Sequence, residues 1–117
     1  MKLLIMIITT FLLSAVSQAA NWKIVPNKEV CMVNETHFAR PQIAVPVDGK
    51  IYYGCCDNCK KTLSENASAR MAKDALTGKS LDKARAVIAA NPAGHVLYFE
   101  SKRNFEQFMK RPDQNKN

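Results

Sequence analysis

Glycine and proline are scarce in this chain, with four glycines and five prolines among 117 residues. Their scarcity excludes a collagen-like repeat and a Pro/Gly low-complexity chain, and a hydrophobic fraction of 47% excludes a disordered one. After the first apolar run there is no stretch of the ~20 apolar residues that a membrane helix needs. No Ser/His/Asp set, phosphate-binding loop or pair of catalytic carboxylates can be assembled, which disfavours a hydrolase. The chemically distinctive residues that remain are four cysteines.

The N-terminal segment has the pattern of an export signal. Lys2 is followed by an almost wholly apolar run and then by small residues, with Ser17 and Ala19 forming a small-x-small cleavage site. A membrane anchor, the alternative, needs a longer apolar stretch and usually a cationic stop. We therefore predict a signal peptide over 1–20, cleaved after residue 19 or 20. The mature protein is expected to be periplasmic or secreted, with no stable membrane anchor.

The charge of the chain is basic, with 17 Lys and Arg against 10 Asp and Glu. These basic residues are scattered and no nucleic-acid-binding motif is present, so we expect no nucleic acid as a partner. We predict one domain over 21–112 and a disordered tail over 113–117. A domain of this size is marginally stable on its apolar core alone, so a metal ion or a disulfide would add materially to its stability.

Hydrophobic periodicity and turn residues predict a small α+β domain with short antiparallel strands. Strands are expected near 30–33, 50–54 and 95–99. Helices are expected near 57–64, 66–77, 80–90 and 101–110, from apolar residues at helical spacing and Ser or Gly at helix ends. The predicted core consists of Val33, Ile51, Tyr53, Leu63, Met71, Val87, Ile88, Leu97, Phe99, Phe105 and Phe108.

A weak internal repeat is visible at an offset of 45 residues. Residues 51–63 align with 96–108, and each copy has the pattern of a strand, a tight exit, a polar cap and a helix. Only the first copy has cysteines, because Glu100 and Asn104 stand where Cys55 and Cys59 stand. The repeat predicts two strand–helix units of one domain, one carrying ligands and one structural, joined by pairing of their strands.

Three of the cysteines, Cys55, Cys56 and Cys59, lie within five consecutive residues. If a helix begins near Cys56, residues three and four apart share a face, so these thiols can converge within one turn. Helix N-terminal amides stabilise thiolates, the form that binds metals or attacks disulfides. Cys31 supplies a fourth sulfur if its strand pairs with 51–53.

Other interpretations of these residues stay open. An even number of cysteines in an exported protein also fits disulfides, and the Cys56–Cys59 spacing fits a thiol–disulfide oxidoreductase, although no thioredoxin-like βαβ pattern precedes it. Met32 is a soft thioether candidate, but an apolar strand residue is more often core. His37 and His95 are lone histidines, which are more often hydrogen-bonded or exposed than ligands.

The cysteine pattern resembles the TRASH/YHS family of small metal-binding domains. That family has one Cys, a spacer, and then Cys-x3-Cys after an aromatic strand, with a large apolar residue four places on. The resemblance implies treble-clef/YHS-like strand–helix units, metal ligands at Cys31, Cys55 and Cys59, and Leu63 in the core; Cys56 is an extra thiol. It also implies a role in heavy-metal sensing, trafficking or resistance.

The sequence thus predicts an exported heavy-metal-binding protein, rather than an enzyme, that acts in metal sequestration, trafficking or resistance through Cys31, Cys55, Cys56 and Cys59. Three or four thiolates favour Cu(I) or Zn(II), one ion per chain, over hard cations. The expected partners are the metal ion and a metal transporter or metallochaperone. The alternatives are an oxidoreductase using Cys56 and Cys59, and a disulfide-stapled structural or interaction domain.

Overall fold

The structure is a computed structural model that describes residues 21–111. The predicted signal peptide and the predicted tail over 113–117 lie outside the described residues. Within the described range, no helix is both long enough and apolar enough to cross a membrane.

The described chain is a small α+β domain of short antiparallel strands and two helices, as the sequence predicts. In chain order the elements are β1 (Lys23–Val25), β2 (Val30–Cys31), β3 (Thr36–His37), β4 (Ile43–Val47), β5 (Lys50–Gly54), α1 (Asp57–Glu65), β6 (Met71–Lys73), β7 (Ser80–Asp82), β8 (Val87–Ala90), β9 (Val96–Phe99) and α2 (Lys102–Met109). Short 3-10 turns cover Asn27–Glu29, Ala67–Arg70 and Lys83–Arg85.

The strands form hairpins between neighbours in the sequence. β4 pairs with β5 and β8 with β9, while β1 adds to the outer edge of β8. The β4–β5 turn places Asp48 and Gly49 at φ values of 50° and 75°, the left-handed conformations of a two-residue hairpin turn. β2 pairs with β3 and β6 with β7 in two shorter hairpins.

The strands predicted near 50–54 and 95–99 are present, but the pairing predicted between them is wrong. β5 and β9 lie in different hairpins, and each takes its partner from the residues directly before it. Such short connections favour pairing between sequence neighbours. The strand predicted near 30–33 ends at Cys31, where the chain turns towards β3.

Two of the predicted helices are wrong, whereas those near 57–64 and 101–110 are confirmed. Residues 66–77 contain a 3-10 turn and β6, and residues 80–90 contain β7, a 3-10 turn and β8. β8 is the central strand of its sheet and buries Ile88, Ala89 and Ala90. A continuous apolar run is compatible with a helix and with a strand covered on both faces, and here tertiary pairing overrides the helix propensity of alanine.

Most of the buried apolar side chains form two clusters. The larger one joins β2 and the turn after it, the β4–β5 hairpin, α1 and the β8–β9 hairpin. It contains Val30, Met32, Val45, Tyr52, Leu63, Ala86, Ile88 and Tyr98. The smaller one packs α2 onto the sheet through Ala89, Phe99 and Phe108. The ring centroid of Phe99 lies 5.3 Å from that of Phe108, edge to face.

Most of the predicted core is confirmed, with two errors on exposed strand faces. Leu63, Ile88, Phe99 and Phe108 are buried; Val33, Tyr53, Val87, Leu97 and Phe105 are partly buried and pack against the clusters. Ile51 is 49% exposed and Met71 is 43% exposed. Strand alternation turns Tyr52 rather than Ile51 into the core, because neighbouring side chains point to opposite faces.

Candidate metal centre

Three of the cysteines lie at the junction between β5 and α1. Cys56 is the N-cap residue of α1, in an extended conformation, and Cys59 lies in the first helical turn. Cys59 and Leu63 are the buried residues of α1, and their i, i+4 spacing places both on the face towards the core. The helix therefore brings Cys59 inward and leaves Cys56 exposed and Cys55 half-buried.

Gly54 allows the helix to start close to β5. A Cβ atom at this position would lie 2.9 Å from the Cβ of Cys59. Only a residue without a side chain fits against Cys59 at that distance.

Replacing Gly54 with alanine is expected to push Cys59 away from β5. We expect a loss of about 1–3 kcal/mol in the free energy of unfolding, the usual cost of overpacking, together with weaker metal binding. Urea denaturation and a competitive metal titration measure the two effects. An unchanged free energy of unfolding and an unchanged metal affinity would show that the junction between β5 and α1 accommodates a methyl group at residue 54.

Cys31 ends β2, and the turn over 32–35 that follows it, the Cys31 turn, lies beside the junction. The backbone amide of Asn34 donates to Cys31 Sγ at 3.4 Å, and Met32 N donates to the carbonyl of Tyr53 at 2.9 Å. The pairing predicted between the strand of Cys31 and 51–53 is wrong, because β2 pairs with β3. The turn contacts β5 through one backbone hydrogen bond instead. This bond holds Cys31 beside the start of α1.

The sulfur atoms of Cys31, Cys55 and Cys59 all lie within 4.8 Å of one another. Cys59 Sγ lies 3.8 Å from Cys31 Sγ and 3.7 Å from Cys55 Sγ. Sulfurs bound at ~2.3 Å to a tetrahedral ion lie roughly 3.8 Å apart. The spacing of this group is therefore compatible with metal binding.

Cys56 does not belong to that mutual group. Its exposed Sγ lies 3.4 Å from Cys59 Sγ, on the solvent side of the cluster. The side chain of Asn34 donates to Cys55 Sγ at 3.1 Å. Asn34 is not among the site residues predicted from the sequence, and its place three residues after Cys31 is the signal that points to it.

The four thiols differ in acidity. Burial opposes ionisation of Cys31, but hydrogen bonds from the backbone of Asn34 and Val33 outweigh it and lower its pKa. Hydrogen bonding to the backbone of Cys59, at the start of α1, lowers the pKa of Cys56. The hydrogen bond with Cys31 raises the pKa of Cys55, and burial raises the pKa of Cys59 to about 12. Burial therefore favours the protonated form of Cys59.

Lys83, a buried lysine directly after β7, supports the Cys31 turn through a hydrogen bond and an ion pair. Lys83 is 5% exposed, and its Nζ donates to the carbonyl of Met32 at 2.7 Å and pairs with Glu35. The same ammonium lies 5.4 Å from the ring centroid of Tyr98, a cation–π contact. Burial, and then the charge of Glu35, raise the pKa of Tyr98. Nothing in the sequence distinguishes Lys83 from the other basic residues.

Replacing Lys83 with methionine is expected to lower the free energy of unfolding by about 2 kcal/mol. This loss is smaller than that for breaking a fully buried ion pair, because the side chain of Glu35 is half-exposed. The loss arises because the carbonyl of Met32 and the carboxylate of Glu35 lose their cation. Urea denaturation measures it. The matched control is Lys61→Met on an exposed position of α1, with a change below about 0.5 kcal/mol. Equal effects of the two substitutions would contradict the bracing role.

The other candidate ligands lie apart from the sulfur group. Met32 is buried in the larger core cluster. His37 Nε2 lies 3.0 Å from a carboxylate oxygen of Glu29, and His95 is exposed. Neither histidine belongs to the group of potential metal ligands.

All four cysteines are free thiols in the structure. The shortest of the sulfur–sulfur contacts, at 3.4 Å, is well beyond the ~2.05 Å of a disulfide bond. The strands on either side of α1 belong to separate antiparallel hairpins, so the βαβ arrangement of thioredoxin-like proteins is not formed around Cys56 and Cys59.

No protein-family model, curated protein or solved structure matches this chain. Membership of the TRASH/YHS family stays a prediction from the cysteine pattern. The function is therefore argued from the site.

Proposed function

We propose that this protein binds one soft metal ion, Cu(I) or Zn(II), through Cys31, Cys55 and Cys59, and sequesters or delivers it outside the cytoplasm. One observation carries the proposal: sulfurs from two separate chain segments lie within 4.8 Å of one another at the start of a helix. Thiolates are soft ligands that favour Cu(I) and Zn(II) over calcium or magnesium. The pattern of an export signal and the resemblance to TRASH/YHS domains support the same role.

The uneven burial of the sulfurs favours exchange over permanent retention. Cys31 and Cys59 are buried, whereas Cys55 is half-buried and Cys56 is exposed. Structural zinc sites usually close the ion within four ligands, while sites with three protein ligands leave a position open. In the proposed site, Cys56 is a fourth ligand or an entry thiol, and a transporter or metallochaperone exchanges thiolates with the ion from that side.

The thiols on the solvent side are expected to contribute unequally. We expect Cys55→Ser to weaken Cu(I) or Zn(II) binding by ~100-fold or more, because loss of one of the three convergent sulfurs costs at least as much as the ~10–100-fold typical for loss of a group that only supports a ligand. Cys56→Ser is its matched neighbour, with an expected loss of ~10-fold or less. Anaerobic titration against a chromophoric chelator measures both. The reverse order would assign the third ligand to Cys56.

Metal analysis of the protein, isolated anaerobically from its native compartment, tests the proposed function. We expect about one copper or zinc ion per chain. An oxidoreductase would instead be isolated without metal and with Cys56 cycling between thiol and disulfide. A protein with no free thiols that binds no metal after gentle reduction would be a disulfide-stapled domain, and the proposal would be wrong.

A further inference from the structure

Residues 30–65 and 71–109, the first and second halves of the domain, share several backbone contacts. In the first half, Met32 N donates to the carbonyl of Tyr53 at 2.9 Å. In the second half, Ala75 N donates to the carbonyl of Tyr98, also at 2.9 Å. Tyr53 and Tyr98 occupy equivalent positions in β5 and β9, so each turn contacts its own hairpin at the same place.

The turns themselves correspond, with Asp74 in the position of Cys31. The amide three residues on donates back in both cases: Asn34 N to Cys31 Sγ at 3.4 Å, and Thr77 N to Asp74 Oδ1 at 3.0 Å. The next residue has a left-handed backbone in both turns, with φ values of 53° for Glu35 and 73° for Gly78. Asp74 was not connected with Cys31 by the sequence repeat, because their offset differs by two residues from that of the helices.

The helix starts correspond as well. Cys56 and Ser101 are the N-cap residues of α1 and α2, with φ values of −156° and −152°. Cys59 and Asn104 follow three residues later, so both halves place a side chain of the first helical turn next to the preceding turn. Each half is therefore a turn, a hairpin and a helix in the same order.

The two halves differ at the point where turn and helix meet. Asp74 is 1% exposed, and its Oδ1 accepts hydrogen bonds from Leu76 N at 2.7 Å and Thr77 N at 3.0 Å. Its Oδ2 accepts from Glu100 N at 2.7 Å and from the side-chain amide of Asn104 at 2.9 Å. One carboxylate thus binds the turn with one oxygen and the helix start with the other.

We propose that the chain contains two copies of one metal-binding module, and that the carboxylate of Asp74 does in the second copy what the ion does in the first. A cysteine offers a single sulfur atom, and without an ion Cys31 meets Cys59 only through a long sulfur–sulfur contact of 3.8 Å. An ion bound to Cys31, Cys55 and Cys59 would join the turn firmly to the helix start. A carboxylate offers two oxygens, and charge-assisted hydrogen bonds make the same connection without metal. This inference rests on the proposed function of the first module.

The consequence is a division of labour between the halves. The second module keeps its turn and helix together in the absence of an ion, and through Lys83 it braces the Cys31 turn. Loading and release of the ion then alter the order of the first module alone. The second module stays ordered whether or not the ion is bound, whereas the first module is more ordered with the ion than without it.

Amide hydrogen exchange of the full mature chain under reducing conditions, with and without Zn(II), tests the inference. We expect Zn(II) to slow exchange of the Asn34 amide by ~10-fold or more. The equivalent Thr77 amide and the Glu100 amide are expected to be protected already and to change less than ~2-fold. If Zn(II) binds but protects both halves alike, the inference is wrong and the proposed function stands. If Zn(II) does not bind at all, the proposed function fails and the inference with it.

A variant with three new cysteines supplies an independent readout. Asp74→Cys/Glu100→Cys/Asn104→Cys is expected to raise the zinc content from one to two ions per chain. The matched control, Asp74→Ser/Glu100→Ser/Asn104→Ser, is expected to bind one. A folded triple-cysteine variant that binds a single ion would contradict the equivalence of the two sites. Should the variant fail to fold, the exchange measurement on the natural chain decides.

Discussion

Replacing Cys59 with serine is expected to abolish stoichiometric binding of Cu(I) and Zn(II), with affinity reduced by ~100-fold or more. Cys59 lies at the centre of the cluster, with its Sγ 3.8, 3.7 and 3.4 Å from the sulfurs of Cys31, Cys55 and Cys56. A serine hydroxyl is a hard ligand and does not replace a thiolate for a soft ion. Anaerobic titration of the reduced protein against a chelator measures the loss.

The matched control for Cys59 is the exposed neighbour Cys56, whose replacement by serine removes a sulfur without removing the centre of the group. Circular dichroism separates loss of the ligand from loss of α1, and export of the variant is expected to be unchanged. Affinity within about threefold of the natural protein for Cys59→Ser would exclude the proposed ligand set.

Replacing Asp74 with asparagine is expected to lower the free energy of unfolding by about 3–4 kcal/mol. The carboxylate accepts four hydrogen bonds. An amide in its place directs its NH2 group at two of the four donors. Chemical denaturation measures the effect, and Glu106→Gln on an exposed position of α2 is the charge-matched control, with a change below about 0.5 kcal/mol. Loss of similar size in both variants would contradict the role of Asp74.

The contribution of Asp74 also depends on pH. Burial alone would raise the pKa of this carboxyl, but the hydrogen bonds from Asn104, Glu100, Thr77 and Leu76 outweigh burial and hold the pKa below its usual value. Because the folded pKa lies below the unfolded value of ~3.9, the stabilisation is complete above that value and is lost as the pH falls through the folded pKa. The stability difference between the natural protein and Asp74→Asn is therefore expected to be large at neutral pH and to shrink in acid. If the natural protein and Asp74→Asn differed in stability by the same amount at neutral and at acid pH, the role of the ionised Asp74 would be contradicted.

The junction between β5 and α1 could be predicted from the sequence because its signals are local. A β-branched and aromatic strand, a glycine and a Cys-x3-Cys pattern lie within a few residues of one another. Helix geometry turns Cys59 and Leu63 to the same inner face, and the strand exit just before the N-cap Cys56 leaves Cys55 beside Cys59. Cys31 was included on the condition that its strand pairs with 51–53. That pairing is not formed, because β2 pairs with β3, and Cys31 reaches the junction through the Met32–Tyr53 backbone hydrogen bond instead.

The remaining elements depend on contacts that are distant in the sequence. Residues 80–90 are rich in alanine and were predicted as a helix, but β1 and β9 bind β8 on its two edges. Lys83 and Asp74 act through partners 51 and 30 residues away, and nothing in their local sequence marks them as buried. Pairing partners and buried polar contacts of this kind are set by tertiary structure, which local propensity does not encode.

X-ray absorption spectroscopy of the reduced mature protein, loaded with one equivalent of Cu(I) or Zn(II), tests the central claim most directly. We predict three sulfur neighbours, or four if Cys56 joins them, at ~2.2–2.4 Å and no histidine nitrogen in the first coordination shell. One sulfur fewer is expected in Cys55→Ser. An ion surrounded by nitrogen or oxygen, or a fully reduced protein that binds no ion, would contradict the assignment of Cys31, Cys55 and Cys59 as a soft-metal site.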